Sequence, residues 1–307
     1  MDILKYFKAL SDETRLRLMN ILMHHELKVG EIVSVLDMGQ SRISRHLKIL
    51  SDAGLVESWK EGVWGFYRIA ENGAGREFVN AVSYLFEDDP LFAGDLKRAA
   101  GVMEKRRTDT RRFFNSIAAS WDLFKQEIIG DFDLNKAVFN GAGHFNVGVD
   151  LGCGTGDLLE PMTRHADRVI GVDSSPGMLD KARKRFSDSR NHIDFRLGEI
   201  EHLPLRDGEA DFAVISLVLQ YVADPETAVA EISRVVRPAG VFVIADFQRH
   251  DNKDLFQRFG ARWPGFDRDE IKDWLSQSGF EVKNITQHPL EQGLVMNVYQ
   301  TERMIPL

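Results

Sequence analysis

An apolar run that ends on three alternating glycines most constrains this chain: VGVDLGCGTGDLL, residues 147–159, with Gly152, Gly154 and Gly156. The pattern predicts a buried strand, a tight loop, then a helix at about 155–165. Glycines there let a ligand approach the backbone, and a helix N-terminus adds free N–H groups and a positive dipole. One residue between glycines departs from the G-x-G-x-x-G spacing of dinucleotide sites, which favours a smaller ligand without a pyrophosphate. RVIGVD then reads as a second strand, with a helix near 175–188. HIDFR, DFAVIS and GVFVIAD follow as strands, with a helix at about 225–236 between the last two. Strands alternating with helices predict a parallel, doubly wound sheet. Ligands of such sheets bind at the carboxyl ends of the strands, where Asp173 can accept hydrogen bonds from ribose hydroxyls.

That sheet occupies only the second half of 307 residues, so two domains are expected, each able to bury a core. Hydrophobic content of 43% and charged content of 28% are ordinary for a globular protein. No apolar run approaches the ~18 residues needed to span a bilayer, and MDILKYFKAL lacks signal-peptide organisation. Cys153 is the single cysteine, so no intramolecular disulfide forms and a cytoplasmic location is expected. With no His or Cys near it in sequence, Cys153 reads as a small loop residue rather than a nucleophile or metal ligand. A net charge of −8 argues against indiscriminate coating of nucleic acid, but not against a local basic surface.

Such a surface is present near the N-terminus. Leu4, Phe7 and Leu10 share a helix face, and Ser11 is the expected N-cap of ETRLRLMNILMHH. VGEIVSVLDM forms a short helix, broken at Gly39. QSRISRHLKILSDAG, residues 40–54, turns Ile43, Leu47 and Leu50 inward and ends on Gly54 as a C-cap residue. Gln40, Ser41, Arg42, Ser44, Arg45, His46 and Lys48 project elsewhere, with no carboxylate among residues 40–48. Two short helices and a tight turn, the second basic, describe a helix-turn-helix. Arg and Gln suit base edges, and Ser and Lys suit phosphates. LVESWK and FYRIA then form a hairpin wing with Lys60 near its tip and Arg68 on its second strand.

LSDETRLRLMNIL and SRISRHLKILSDAGLVESWKEGVWGFYRI resemble the ArsR-type winged-helix repressors, over about residues 2–86. The resemblance implies a DNA-binding domain at 1–88 that dimerises through its first helix and the helix at about 73–86. Paired recognition helices would meet a pseudo-palindromic DNA operator. Many relatives sense metals through cysteines or histidines. Here ELKVGEIVSVL has no cysteine and ENGAGREFVNAVSYLFEDD no histidine, and adjacent His24 and His25 do not share a helix face, so no metal site is expected. Residues 89–112 follow as a basic linker helix, with Lys97, Arg98, Lys105, Arg106, Arg107, Arg111 and Arg112 read as a solvated face. Phe113, Phe114, Ile117, Trp121 and Phe124 form an apolar stripe expected to dock on the domain at 113–307.

That domain resembles the class I S-adenosylmethionine-dependent methyltransferases over about residues 110–300. VDLGCGTG, GVDSSPGML, LGEIEHLPLRDG, DFAVISLVLQYVADP, RVVRPAG and VFVIADF carry the likeness. It implies S-adenosylmethionine or S-adenosylhomocysteine as ligand. Asp150 and the loop of Gly152, Cys153, Gly154 and Gly156 would hold its methionine end, and Asp173 its ribose. Glu199 would accept from the adenine amino group with Ile200 beside the ring, and Ser174, Met178 and Ser216 complete the set. FEVKNITQ and GLVMNVYQ look like the terminal antiparallel hairpin of that Rossmann-like sheet. His250 is the candidate general base, with Gln220, Tyr221 and Asp246 as other candidates near the acceptor, and Arg262, Trp263, Pro264 and Phe266, in ARWPGF, are a candidate acceptor wall.

The order of the two parts resembles bacterial fusions of an ArsR-type regulator with a methyltransferase. The expected function is therefore a DNA-binding regulator that also methylates a small molecule. Two alternatives stay open: a repressor that senses either cofactor form without turnover, and a methyltransferase using the winged helix only to dimerise.

Overall fold

The computed structural model describes residues 3–61, 64–86, 89–187, 193–252 and 260–305, without the side chains of 59–61 and 64. The chain divides into two compact units, Met1–Arg106 and Arg107–Leu307. No helix among the described residues is long and apolar enough to cross a membrane.

The first unit begins with α1 (Ile3–Leu10), α2 (Glu13–His24), the two-residue β1 (Leu27–Lys28), α3 (Val29–Leu36) and α4 (Gln40–Asp52). The wing is β2 (Val56–Glu61) paired antiparallel with β3 (Trp64–Ile69), and β1 adds to the other edge of β3. Next come α5 (Gly73–Val82), a 3₁₀ turn at Ser83–Phe86 and the first turns of the 28-residue α6 (Pro90–Ile117). Leu18, Ile21, Ile32, Ile43, Leu47, Leu50 and Phe66 form its buried core. The N-cap of α2 is Asp12, not Ser11: Arg15 N–H donates to Asp12 Oδ1 at 3.1 Å. The Ser11 hydroxyl instead turns back and donates to Lys8 C=O at 2.8 Å.

Charge alone predicts a solvated linker after the wing, but Pro90–Arg106 belongs to this first unit. Arg17 reaches the fully buried carboxylate of Asp95 with both Nε (2.7 Å) and Nη2 (2.8 Å). Arg98 donates to Val35 C=O at 2.7 Å, and buried Arg106 pairs with Glu31, Nε to Oε1 at 2.6 Å. A buried Arg–carboxylate pair fixes register because either partner alone would be an uncompensated charge.

The second unit is a seven-stranded sheet in the order β6-β5-β4-β7-β8-β10-β9. Its strands are β4 (Phe145–Leu151), β5 (Ala166–Asp173), β6 (Ile193–Leu197), β7 (Ala210–Ser216), β8 (Val236–Phe247), β9 (Phe280–Pro289) and β10 (Val295–Arg303). The first five run parallel, and β10 is antiparallel to both β8 and β9, closing the sheet with a hairpin. Around it lie α7 (Trp121–Ile129), α8 (Leu134–Phe139), α9 (Leu159–Met162), α10 (Pro176–Arg185), α11 (Pro225–Val235) and α12 (Arg268–Gln277). Val149, Leu151, Ile170, Val172, Phe212, Val214 and Val243 are all buried, as expected of strands covered on both faces. The helix expected at 155–165 shrinks to Leu159–Met162, because the chain first passes through turns in which Gly152, Gly154 and Gly156 have φ of +75°, +53° and +93°.

Candidate functional site

One cavity opens at the carboxyl ends of the parallel strands of the second unit. Asp150, Gly152, Cys153, Gly154, Asp173 and Ser174 line it. So do Met178, Glu199, Ile200 and Ser216. Gly156 does not. A Cβ there would stand 2.7 Å from the Phe186 ring, so this glycine permits packing under the loop rather than ligand approach.

Asp173 shapes the loop. Its Oδ2 accepts the Gly154 N–H at 2.9 Å and its Oδ1 the Ser175 N–H at 2.8 Å. Each oxygen keeps a lone pair for a further donor. Burial pushes this carboxyl up to about 6, against the backbone donors that lower it. Burial likewise pushes Asp150 up to about 7, against the pull of Lys125. Glu201 is buried, accepts the Ala223 N–H at 3.2 Å and is also raised by burial. Glu199 Oε2 lies 3.4 Å from Arg107 Nε. Ser216 Oγ is buried with no hydrogen-bond partner among the described residues. The Cys153 thiol is buried and its pKa is raised by that burial, which keeps it from acting as a thiolate.

The rest of the wall comes from the end of α6 and from α7, where sequence reading placed only an apolar stripe. Arg107, Thr110, Phe114, Trp121 and Lys125 all line the cavity. Phe114 stands edge-on to Trp121 and Tyr221, with centroids 5.5 and 4.7 Å apart. Polar links hold this helical pair to the loops. Asn115 Oδ1 accepts the Ser175 hydroxyl (2.7 Å) and the Gly177 N–H (3.0 Å). Asp122 Oδ1 accepts the Thr155 hydroxyl at 2.6 Å, and Lys125 Nζ lies 2.9 Å from Asp157 Oδ2. A run such as NSIAASWDLFK, with polar residues between apolar ones, is the only local signal for these links.

His250 is not among the residues lining the cavity. Its Nδ1 accepts the Asn252 N–H at 3.2 Å and its ring lies edge-on to Phe247, so the contacts hold it in its own loop. Residues 253–259 of the neighbouring QRHDNKDLFQRF stretch lie outside the described residues. Tyr221 does line the cavity, its hydroxyl pKa raised by burial. Asp246 is turned to the backbone, accepting the Leu219 N–H at 3.0 Å and the Phe247 N–H at 2.8 Å. ARWPGF braces the cavity from behind. Arg262 N–H donates to Gln220 C=O (2.8 Å), Arg262 Nε to Tyr221 C=O (3.0 Å) and Trp263 Nε1 to Val222 C=O (2.8 Å).

On α4 of the first unit, Gln40, Ser41, Arg42, Arg45 and Lys48 are exposed and Ser44 is half-buried. His46 departs from the expected reading face. It packs back on the start of α2, its Nδ1 3.6 Å from Asp12 Oδ1 and 3.5 Å from Arg15 Nη1. The Lys60 side chain lies outside the described residues. Arg68 is held by Glu57 (2.6 Å) and Glu26 (3.2 Å), so the wing does not present it.

A pH dependence follows from the buried carboxyls. Asp150 and Asp246 hold their protons up to about 7 and Asp173 to about 6, whereas the unfolded chain releases them near the ordinary value of 3.8. Between those values these three groups bind more protons in the native state, so their contribution to stability falls as pH rises from about 4 to about 7, while Glu31, Asp157 and Glu209, held low by basic partners, contribute in the opposite sense at the acidic end. His46 and His250, lowered by burial, act in the opposite sense. The ligand-free chain is therefore expected to unfold at lower urea concentration at pH 8 than at pH 5.5. A denaturation series monitored by tryptophan fluorescence measures this.

Two family models match the chain: bacterial regulatory protein, arsR family, over residues 12–58, and methyltransferase domain, over residues 149–244. A demethylmenaquinone methyltransferase of Symbiobacterium thermophilum is 32% identical over 172 residues, 53% of this chain and 68% of that protein. An uncharacterized 37.1 kDa protein of transposon Tn4556 from Streptomyces fradiae is 44% identical over 101 residues, and the chain spans only 29% of it while contributing 32% of its own length. Among solved structures, a geranyl diphosphate methyltransferase in complex with GPP and sinefungin matches at a TM-score of 0.55 and 14% identity. The match covers 65% of this chain and 100% of that one, and shows a shared fold.

Proposed function

This chain belongs to the class I methyltransferases and carries an ArsR-family helix-turn-helix ahead of that domain, and from this premise we propose that it is a DNA-binding regulator whose second unit binds S-adenosylmethionine and methylates a small molecule. The observation that carries the reading is the convergence, in one cavity, of the glycine loop, the Asp173 carboxylate and the partnerless Ser216 hydroxyl. The donor set fits the cofactor. Asp173 has lone pairs for ribose hydroxyls, Glu199 can accept an exocyclic amine, and Met178 and Ile200 offer apolar surface to a base. Asp150, buried in the cavity wall, would accept from an ammonium group of the ligand. When bound, S-adenosylmethionine supplies an electrophilic methyl group. The protein's part is to orient an acceptor and exclude water, for which Phe114, Trp121 and Tyr221 supply the apolar wall.

For the first unit, we propose that Gln40, Ser41, Arg42, Arg45 and Lys48 read DNA. Exposed Ile3, Leu4 and Phe7 on α1, with Tyr84 and Leu85 after α5, fit a homodimer face. Tyr6 and Phe7 already pack on Phe78, tying the two segments together.

A second reading, a cofactor sensor without turnover, draws support from the absence of any histidine among the described residues that line the cavity. Incubation of the full chain with methyl-labelled S-adenosylmethionine and a panel of small nucleophiles separates the two. Labelled product above the protein-free rate supports the enzyme. Saturable binding with no product across the panel supports the sensor.

A further inference from the structure

We infer that Arg262 is a positioning residue for the methyl acceptor: it ties together the two lips of the cavity that carry Tyr221 and Phe114, and so sets the gap that an acceptor must fill. The inference rests on the methyl-transfer reading above and adds which side chain fixes the acceptor wall.

The two lips are far apart in sequence. One is the 3₁₀ turn Leu219–Tyr221 after β7, continued by Val222 and Ala223. The other is the end of α6, where Thr110 and Phe114 stand one helical turn apart and both line the cavity. Phe114 meets Tyr221 edge-on, with centroids 4.7 Å apart. Ring pairs of this kind tolerate separations of about 4.5–7 Å, so the contact alone does not fix the gap. Arg262 supplies directed bonds instead. Its backbone N–H donates to Gln220 C=O at 2.8 Å and its Nε to Tyr221 C=O at 3.0 Å. Its Nη2 donates to Thr110 Oγ1, on the other lip, at 2.8 Å. The guanidinium is planar, so aiming one N–H at the first lip fixes where the other points.

The base from which Arg262 reaches is rigid. Trp263 is buried, with Nε1 donating to Val222 C=O at 2.8 Å. Phe266 is buried too, and its N–H donates to Phe247 C=O at the end of β8 at 3.0 Å. Between them Gly265 holds a φ of +84°, and a Cβ there would stand 2.6 Å from the carbonyl oxygens of Phe247 and Gln248. Only glycine lets the loop lie this close to the strand end. Arg262 is not among the residues lining the cavity, so it acts on an acceptor through Tyr221 and Phe114, which are. This gives the ARWPGF stretch a part in the reaction from outside the cavity.

Fluorine NMR of the full chain labelled with 3-fluorotyrosine reads the gap at Tyr221, whose resonance is assigned by its loss in Tyr221→Phe. Thr110→Val keeps the side-chain shape and removes the acceptor of Nη2. It is expected to move the Tyr221 resonance in the same direction as Arg262→Ala, and to add nothing in the double variant, because both changes break one link. Arg262→Lys keeps the charge but not the planar fork, so it should resemble Arg262→Ala. Methylguanidinium should return the Arg262→Ala resonance toward the parent position, and methylammonium should not. S-adenosylmethionine, titrated alongside, should bind these variants as it binds the parent chain, since Arg262 and Thr110 lie outside the cofactor set. A Tyr221 resonance unmoved by Thr110→Val, or moved equally with and without Arg262, would overturn the inference and leave the cofactor reading intact. Cofactor binding lost from the variants but kept by the parent would overturn the assignment to the acceptor. A parent chain that binds no S-adenosylmethionine would overturn the methyl-transfer reading itself.

Discussion

Asp173→Ala is expected to weaken S-adenosylmethionine binding by about 100-fold or more. The change removes the acceptor assigned to the ribose hydroxyls, and a hydrogen bond to a charged group contributes roughly 1.5–3 kcal/mol. It also strips the Gly154 and Ser175 N–H groups of their partner, so the glycine loop loses what holds it in place. Two lost ligand bonds and a loosened loop make about 3–5 kcal/mol, or 10²–10³ in affinity, a reasonable expectation. Fold integrity is checked by circular dichroism. Unaltered affinity in a folded variant would remove Asp173 from the site.

The second large effect belongs to the first unit. Replacing Arg42 and Arg45 together by alanine is expected to weaken operator binding by about 10² or more, since each arginine reading a base edge contributes roughly 1–3 kcal/mol. Both side chains are exposed on α4 and away from its buried stripe of Ile43, Leu47 and Leu50, so stability should change little. Cofactor affinity should stay as in the parent chain. Gel-shift titration over a salt series measures the loss, and any arginine that contacts phosphate instead lowers the salt slope by about one. DNA binding that survives the double change would remove α4 as the reading element.

These two sites were legible in the sequence to different depths. The glycine loop and the acid ending the second strand are local patterns, so their place at one cavity follows from strand–helix alternation alone. Gly156 shows the limit: its neighbours Gly152 and Gly154 line the cavity, while Gly156 makes room for a phenylalanine thirty residues on. Periodicity placed α4 correctly, but not His46, whose partner Asp12 caps another helix. Ser11 and Asp12 are both good caps, and the choice depended on which oxygen had another acceptor to serve. Arg106 looked like one more solvated charge, because Glu31 is 75 positions away in the chain. Lys125 and Arg107 were missed at the cavity for the same reason: charge pairing across distant elements leaves no periodic trace.

The central claim is that the cavity at the strand ends of the second unit is an S-adenosylmethionine site. Equilibrium dialysis of the full chain against radiolabelled S-adenosylmethionine, with the Asp173→Ala chain alongside, tests it most directly. The account predicts saturable binding of one molecule per chain, displaced by sinefungin and lost from the variant over the same concentration range. No saturable binding to the parent chain, or undiminished binding to the variant, would contradict it.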